Sequence, residues 1–501
     1  MRPNEAESFT DDLQEPLENT TSTKSARSTN HTRLLAGTAV GVALTGFLSF
    51  VVLTFFIRVI DGKGPWWPLW DHHLQDGQWF EATRVTVAFV ALTAAGGAAY
   101  LAYRRQRTAD ENQKTAAATQ LITAKAYKLS TDQHEATLRR ELRTRFTDAA
   151  SQLAHPSAAV RIAGVFAMSA LADDWHSSNE PAEVQTCIDV LCGYLRLPYD
   201  LAHGVSHQTK RVISRPRVAS DGIATGEIEE HFEIRQNDRE VRKTIIRVIG
   251  DHLQKSSCPS WSDRSFDLQE AVLEDVRLVG SIFRGPISFD RAQFYGTRTS
   301  FSQAIFHGEG ASFTDTEFHS EEASFDKTEF YGEHAKFDQA KFHGRKASFI
   351  EAKFHRTETS FDGAEFHSTK TLFIDAEFTG QGTSFGRAKF HGDWTSLKGA
   401  KFLGEWTSFD GAEFHSTKTL FIDAEFTGEE TSFLRAGFFG EETSFDRATF
   451  LAKKTSFDKP VRWNQVHFDW DPRPGLAPTA TKPDSISPAK WRPEASTAVH
   501  P

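Results

Sequence analysis

Between Phe289 and Phe457 one pattern returns every twelve residues. It reads Ser, Phe, two variable positions, Ala, any residue, Phe, any residue, often Gly, two variable positions, then Ala or Thr. The leading aromatic falls at Phe289, Phe301, Phe313, Phe325, Phe337, Phe349, Phe361, Phe373 and Phe385. After one exchange at Leu397 it continues at Phe409, Phe421, Phe433, Phe445 and Phe457. A second Phe follows five residues later, as at Phe294, Phe306, Phe318, Phe342, Phe366 and Phe414. A period held this long requires a repeat architecture, in which each unit rests on its neighbours rather than on a globular core. Such rods bind, space or shield, and this narrows function away from catalysis.

The spacing predicts how the chain winds. Upstream run three plain five-residue units, residues 271–275, 276–280 and 281–285, each with a bulky central residue (Leu273, Leu278, Phe283) and a smaller one two positions before it. The twelve-residue units obey the same rule twice, with Ala292 before Phe294 and Thr299 before Phe301. In extended chain, residues i and i−2 share a face, so both point inward. On these residues the segment 266–459 resembles the pentapeptide-repeat proteins, whose motif is A(D/N)LXX. The resemblance implies a right-handed, four-sided β-helix. One departure stands out: sides of five alternate with segments of seven, the extra pair following a Gly such as Gly296, Gly308, Gly332 or Gly344. Four such sides make 24 residues per coil. Residues 359–380 recur letter for letter at 407–428, an offset of two whole coils. About seven coils would give a rod roughly 34 Å long at the spacing of β-strands.

Burying each Phe stabilises by roughly 1.5–3 kcal/mol, but ordering costs roughly 1–2 kcal/mol per residue, so stability must come from stacking. Both open ends need covers. Trp261 and the plain pentapeptides stand at the start. Pro460, Trp463 and Trp470 stand at the far end, giving a repeat domain over 261–470. Residues 471–501, rich in Pro, Ala and Thr, are expected to be unstructured.

Residues 1–30 are polar and read as a disordered tail. The segment 31–107 reads as a two-span hairpin. Residues 34–57 carry no charge over a length that spans hydrocarbon, and 85–103 form a shorter candidate rich in small residues. Trp66, Trp67, Trp70 and Trp79 lie between them as interfacial anchors. Arg33 before the first span and Arg104, Arg105 and Arg107 after the second place both termini in the cytoplasm.

Residues 108–255 read as a helical adaptor. Helices are expected over 108–153, over 158–173 behind an N-cap at Ser157, over 185–197 and over 239–253, with a flexible loop near 203–230. Two spans, helices of the VRIAGVFAMSAL kind and F-x-x-A-x-F units together resemble a group of bacterial membrane-bound pentapeptide-repeat proteins. That implies a bacterial cell membrane as the location but no reaction. The expected fold class is therefore an α+β multidomain membrane protein: two transmembrane helices, the adaptor, and the C-terminal β-helix.

Candidate sites are few. Every second unit places His after the second Phe, giving His319, His343, His367, His391 and His415; at 24 residues per coil they stack in one column. Such a column suits a transition metal or proton sensing, but no carboxylate or Cys completes a set in register, and a solvated ladder is the plainer reading. The opposite column, His307, Tyr331, His355 and Thr379, is mixed. Asp290, Asp326, Asp338, Asp362, Asp410 and Asp446 follow the first Phe. Pentapeptide-repeat proteins that protect DNA gyrase use acidic stripes to mimic DNA, which makes a topoisomerase regulator the alternative function. Against it stand 27 acidic but also 19 basic residues between Phe289 and Ser456, and turn formation explains Asp there. No phosphate loop, G-x-S-x-G or H-E-x-x-H motif occurs, His72 and His73 are a lone pair, and an activity confined to the helical region is the remaining enzymatic alternative. The net charge of −10 argues against nucleic-acid binding. Of the three cysteines, Cys187 and Cys192 share a helix and read as buried apolar groups. The expectation is a non-enzymatic membrane-anchored scaffold whose partners are the lipid membrane and another protein, with no cofactor and no metal.

Overall fold

The computed structural model describes residues 76–202, 205, 210–218, 224–355, 358–472, 478–489 and 491–493, with parts of 37–57. The tail 1–30, the anchors Trp66, Trp67 and Trp70, and His72 and His73 lie outside the described residues, as does the side chain of Trp79. The chain divides into two units, Met1–His134 and Glu135–Pro501.

In the first unit the expected span 34–57 is described only in part, and contains a short apolar helix, Ala43–Leu53. Helix α1 covers Asp76–Leu153 without a break, so the candidate span 85–103 and the helix expected from residue 108 are one element. Neither Gly96 nor Gly97 interrupts it. Its portion Val87–Leu153 is the one helix among the described residues long and apolar enough to cross a membrane, by length and composition. Val87, Phe89, Val90 and Leu92 are exposed.

The second unit begins within α1 at Glu135 and continues with α2 (Ala158–Ser177), α3 (Pro181–Arg196) and, after a hairpin, α4 (Asp238–His252). Pro181 stands in the first turn of α3, where its missing N–H costs nothing. Ser157 occupies the N-cap of α2 without a side-chain cap bond. The region near 203–230 corrects the expectation of a loop. Strands β1 (Lys210–Val218) and β2 (Ala224–Glu233) form a two-stranded antiparallel hairpin. Val212 and Ile213 are adjacent in β1 and Pro216 and Gly226 stand near the turn, so no clean period of two marks the strands in the sequence.

From Phe266 onward the chain coils. Strands β3 (Phe266–Asp267) to β37 (Ile486–Ser487) fall in turn into four parallel sheets of ten, nine, eight and eight strands. Register is uniform through the repeats: Ala311 pairs Ala335, Phe318 pairs Phe342 and Phe330 pairs Phe354, each 24 residues on. The plain pentapeptides make a tighter first turn, Phe266 pairing Ile287 and Leu273 pairing Phe294. The described solenoid is therefore longer than the seven coils expected.

Inside, the two Phe of each unit are buried and stack on their counterparts one coil away: Phe313 on Phe337 at 4.8 Å and Phe318 on Phe342 at 4.6 Å between ring centres. Rings in adjoining columns meet edge to face, as Phe313 does Phe325 at 5.4 Å. Both geometries suit the ring quadrupole. The expected core residues Phe289, Phe294, Phe301, Phe306, Phe313, Phe318, Phe337, Phe342, Phe361, Phe366, Phe409 and Phe414 all lie there. The residue two after each leading Phe adopts a left-handed conformation, from Arg291 (φ 57°) to Arg447 (φ 58°), with Gly at 363, 399 and 411. The corner turn needs this conformation whatever the side chain.

Both ends are covered. At the start, Gln185 of α3 accepts from Ser265 N (3.0 Å) and donates to Ser265 O (2.9 Å), and Leu253 O after α4 accepts from Ile282 N at 2.8 Å. Trp261 is buried and stacks on His252 at 4.0 Å. At the far end the segment expected to be an unstructured tail returns as β37, pairing Thr455 with Ile486, and Trp491 meets Phe457 edge-on at 6.1 Å. Burying the last row of Phe rings and pairing the open strand edge outweigh the segment's weak propensity.

Candidate binding faces of the solenoid

The residue before each second Phe points outward and forms a column. On one wall Glu317, Lys341, Glu365, Lys389 and Glu413 alternate in sign, with Lys341 Nζ 3.1 Å from Glu317 and Lys389 Nζ 3.3 Å from Glu365. On another, Glu329, Lys353, Glu377, Lys401 and Glu425 alternate likewise, Lys401 Nζ lying 2.9 Å from Glu377. The 24-residue register places opposite charges on neighbouring strands, where they attract. The walls are thus close to neutral along their length.

The five histidines do form one column. Ring centres of His319, His343, His367, His391 and His415 are separated by 4.7, 5.2, 4.9 and 4.9 Å, with Tyr295 and Phe439 stacked on the ends. Carboxylates stand beside three of the five rings. Nε2 of His319, His367 and His415 lies 3.1, 3.1 and 3.0 Å from Glu317, Glu365 and Glu413. His343 and His391 have Lys341 and Lys389 in the same place. Their ring edges are exposed but their faces are covered. That burial, with repulsion from the imidazoles on either side, holds both pKa values below the usual histidine range. Among the described residues no three His, Cys, Asp or Glu are grouped to hold a metal.

A pKa depressed on folding means that the folded state prefers neutral imidazole. The stabilisation is complete above the unfolded value of about 6.5 and is lost as pH falls through the lower folded value. Thermal melting of the full chain is therefore expected to shift downward between pH 7.5 and pH 5. Changing His343 and His391 to Gln should shrink that difference. An unchanged difference in the double variant would remove the ladder as its cause.

The opposite column, His307, Tyr331, His355 and Thr379, is indeed mixed and lines an open groove of about 570 Å³. His307 stacks on Tyr331 at 4.9 Å, and Tyr331 on His355 at 4.4 Å. The Asp row is engaged within the fold. Asp290, Asp326, Asp362 and Asp410 each accept a Ser hydroxyl and a backbone N–H from the next coil, as Asp326 does from Ser348 Oγ (2.5 Å) and Ile350 N (3.0 Å). Asp338 accepts from Ser360.

A second groove, of about 890 Å³, lies between α4 and the first coils and is lined by Lys243, Arg247, Asp275, Arg277 and Glu322 among others. Burial alone would raise the Asp275 pKa, but hydrogen bonds from Lys243 Nζ (2.9 Å) and Thr297 N (2.8 Å) bring it below the usual carboxylate range. Behind it lies a cluster that sequence reasoning missed. Buried Arg242 donates to Asp238 (2.9 Å), Leu195 O (2.8 Å) and Leu197 O (2.6 Å), while Arg161 donates to Pro156 O (2.6 Å) and stands 3.6 Å from Asp238. These arginines join helix ends whose carbonyls lack helical partners, a structural role. The only sequence signal was charge on otherwise apolar helix faces. Cys187 and Cys192 are buried, their thiols pushed up to about 12 chiefly by that burial, so neither serves as a nucleophile at neutral pH.

Residues 268–317 match the family described as pentapeptide repeats (9 copies). No curated protein and no solved structure matches the chain. The matched stretch covers the plain pentapeptides and the first long units, and the 24-residue register of those long units continues through Ser456. By that match and by its coil geometry, the chain carries a pentapeptide-repeat solenoid.

Proposed function

We propose that this chain is a non-enzymatic scaffold, anchored in a bacterial cell membrane by two spans with both termini cytoplasmic. It would display a right-handed, four-sided solenoid to a protein partner. The observation that carries the reading is the set of outward columns at fixed 24-residue register, whose alternating charges already neutralise one another. A surface of this kind offers pattern rather than net potential, which favours a protein over a polyanion or polycation. The topoisomerase alternative is weakened by the Asp row, whose oxygens accept bonds from the next coil instead of forming a free acidic stripe.

Removal of one whole coil, residues 361–384, should leave every later strand in register and the shortened chain folded. Capture of proteins from membrane and cytosol by this variant and by the intact chain should differ, while neither inhibits supercoiling by gyrase. Identical capture by both forms would sink the scaffold reading, and inhibition of supercoiling would favour the alternative. Deleting 34–103 should move the chain from the membrane to the soluble fraction, and its retention there would refute the anchor.

A further inference from the structure

The hairpin β1–β2 is a two-stranded sheet, and among the described residues no third strand pairs with it. Sheets of two strands are marginal alone, and an open edge presents unpaired N–H and C=O groups. Three of its apolar residues, Val212, Ile228 and Phe232, are each about half exposed. The two edges differ. β1 carries Pro216, which has no N–H to donate. β2 carries no proline and shows a two-faced pattern, with Glu227, Glu229 and His231 on one face and Ile228, Glu230 and Phe232 on the other.

We propose that the outer edge of β2 is a docking site for an extended peptide in which Lys or Arg alternates with apolar residues. Added as a third strand, such a peptide places its cations beside Glu227 and Glu229 and its apolar side chains beside Ile228 and Phe232. Backbone bonds supply affinity and the alternation supplies selectivity. A second copy of this chain is the poorer occupant. β2 against β2 sets acidic strands side by side, and β1 of another copy brings the donorless Pro216. The site lies off the solenoid, so its failure would leave the scaffold reading untouched.

The test uses the full chain in detergent micelles and a fluorescein-labelled peptide of alternating Arg and Val, followed by anisotropy. Saturable binding is expected. It should weaken about tenfold, equivalent to ~1.4 kcal/mol, in a Glu227→Lys, Glu229→Lys double variant. A Glu/Val peptide and an Arg/Val peptide interrupted by proline should bind more weakly still. Both substituted residues are exposed, so the variant is expected to keep its circular dichroism, and Ile228→Thr, which retains strand propensity, provides an independent loss through the apolar face. Equal binding of the acidic peptide would overturn the proposal. So would an affinity unchanged by charge reversal, or self-association of the chain that charge reversal abolishes.

Discussion

Truncation of Phe361 to Ala is expected to destabilise the solenoid by about 3–5 kcal/mol. The ring is fully buried, stacked 4.8 Å from both Phe337 and Phe385 and edge-on to Phe373 at 5.4 Å. Neighbouring rings are fixed by strand register and cannot collapse into the hole, so the loss combines transfer energy with a cavity. Because units stabilise only through their neighbours, the damage should spread along the rod. Amide hydrogen exchange should quicken in the coils holding Phe337 and Phe385 before it quickens near Phe289 or Phe445. The sequence contains its own milder version. Leu397 occupies the same column as Phe373 and Phe421 and is equally buried, yet interrupts the ring stack. Leu397→Phe should therefore stabilise by about 1 kcal/mol, the worth of restored ring pairs. A Phe361→Ala loss below that figure, measured by denaturant unfolding of the full chain, would contradict a core held by these stacks.

Gly392→Ala is expected to cost about 2–3 kcal/mol although it adds a single methyl group at the surface. A Cβ there would stand 1.8 Å from Ser368 O and 2.9 Å from Thr369 O, backbone atoms of the coil one turn earlier. Those atoms belong to hydrogen-bonded rungs: Asp393 N and Trp394 N both donate to Thr369 O. Relief of the clash must therefore pull rungs apart. Gly363→Ala is the comparison. Gly363 has φ +67° but only the Gln339 side chain near it, at 3.6 Å, and Gln339 and Arg387 hold equivalent turns with side chains present. Its cost should stay near the ~1–2 kcal/mol of a left-handed residue. The two melting temperatures should fall in that order. Equal losses would mean that close approach of coils is not what position 392 requires.

The columns of Phe were legible because burial repeats with the coil. An inward position tolerates so few side chains that the sequence itself carries the period, and the register of 24 follows from it. The His column was legible because the same 24-residue register aligns outward positions as well. Its partners were overlooked although Glu317, Glu365 and Glu413 lie two residues before their histidines, on the same face of extended chain. The left-handed corner was invisible, since Arg, Gln, Lys, Asp and Glu occupy it as readily as Gly. The adaptor helices were found to within a few residues at most ends, from apolar spacing and the prolines beside them.

The amino-acid order alone determined the repeat, its inward residues and the residues per coil, because these depend on local alternation along one strand and its neighbour. Three matters were left to the tertiary structure: β37 closing the far end, the arginine cluster joining the helix ends, and the hairpin, which no third strand pairs among the described residues. The first two join residues far apart in the chain, where burial of an open sheet end or of a charged group decides the outcome and local propensity is too weak to announce it.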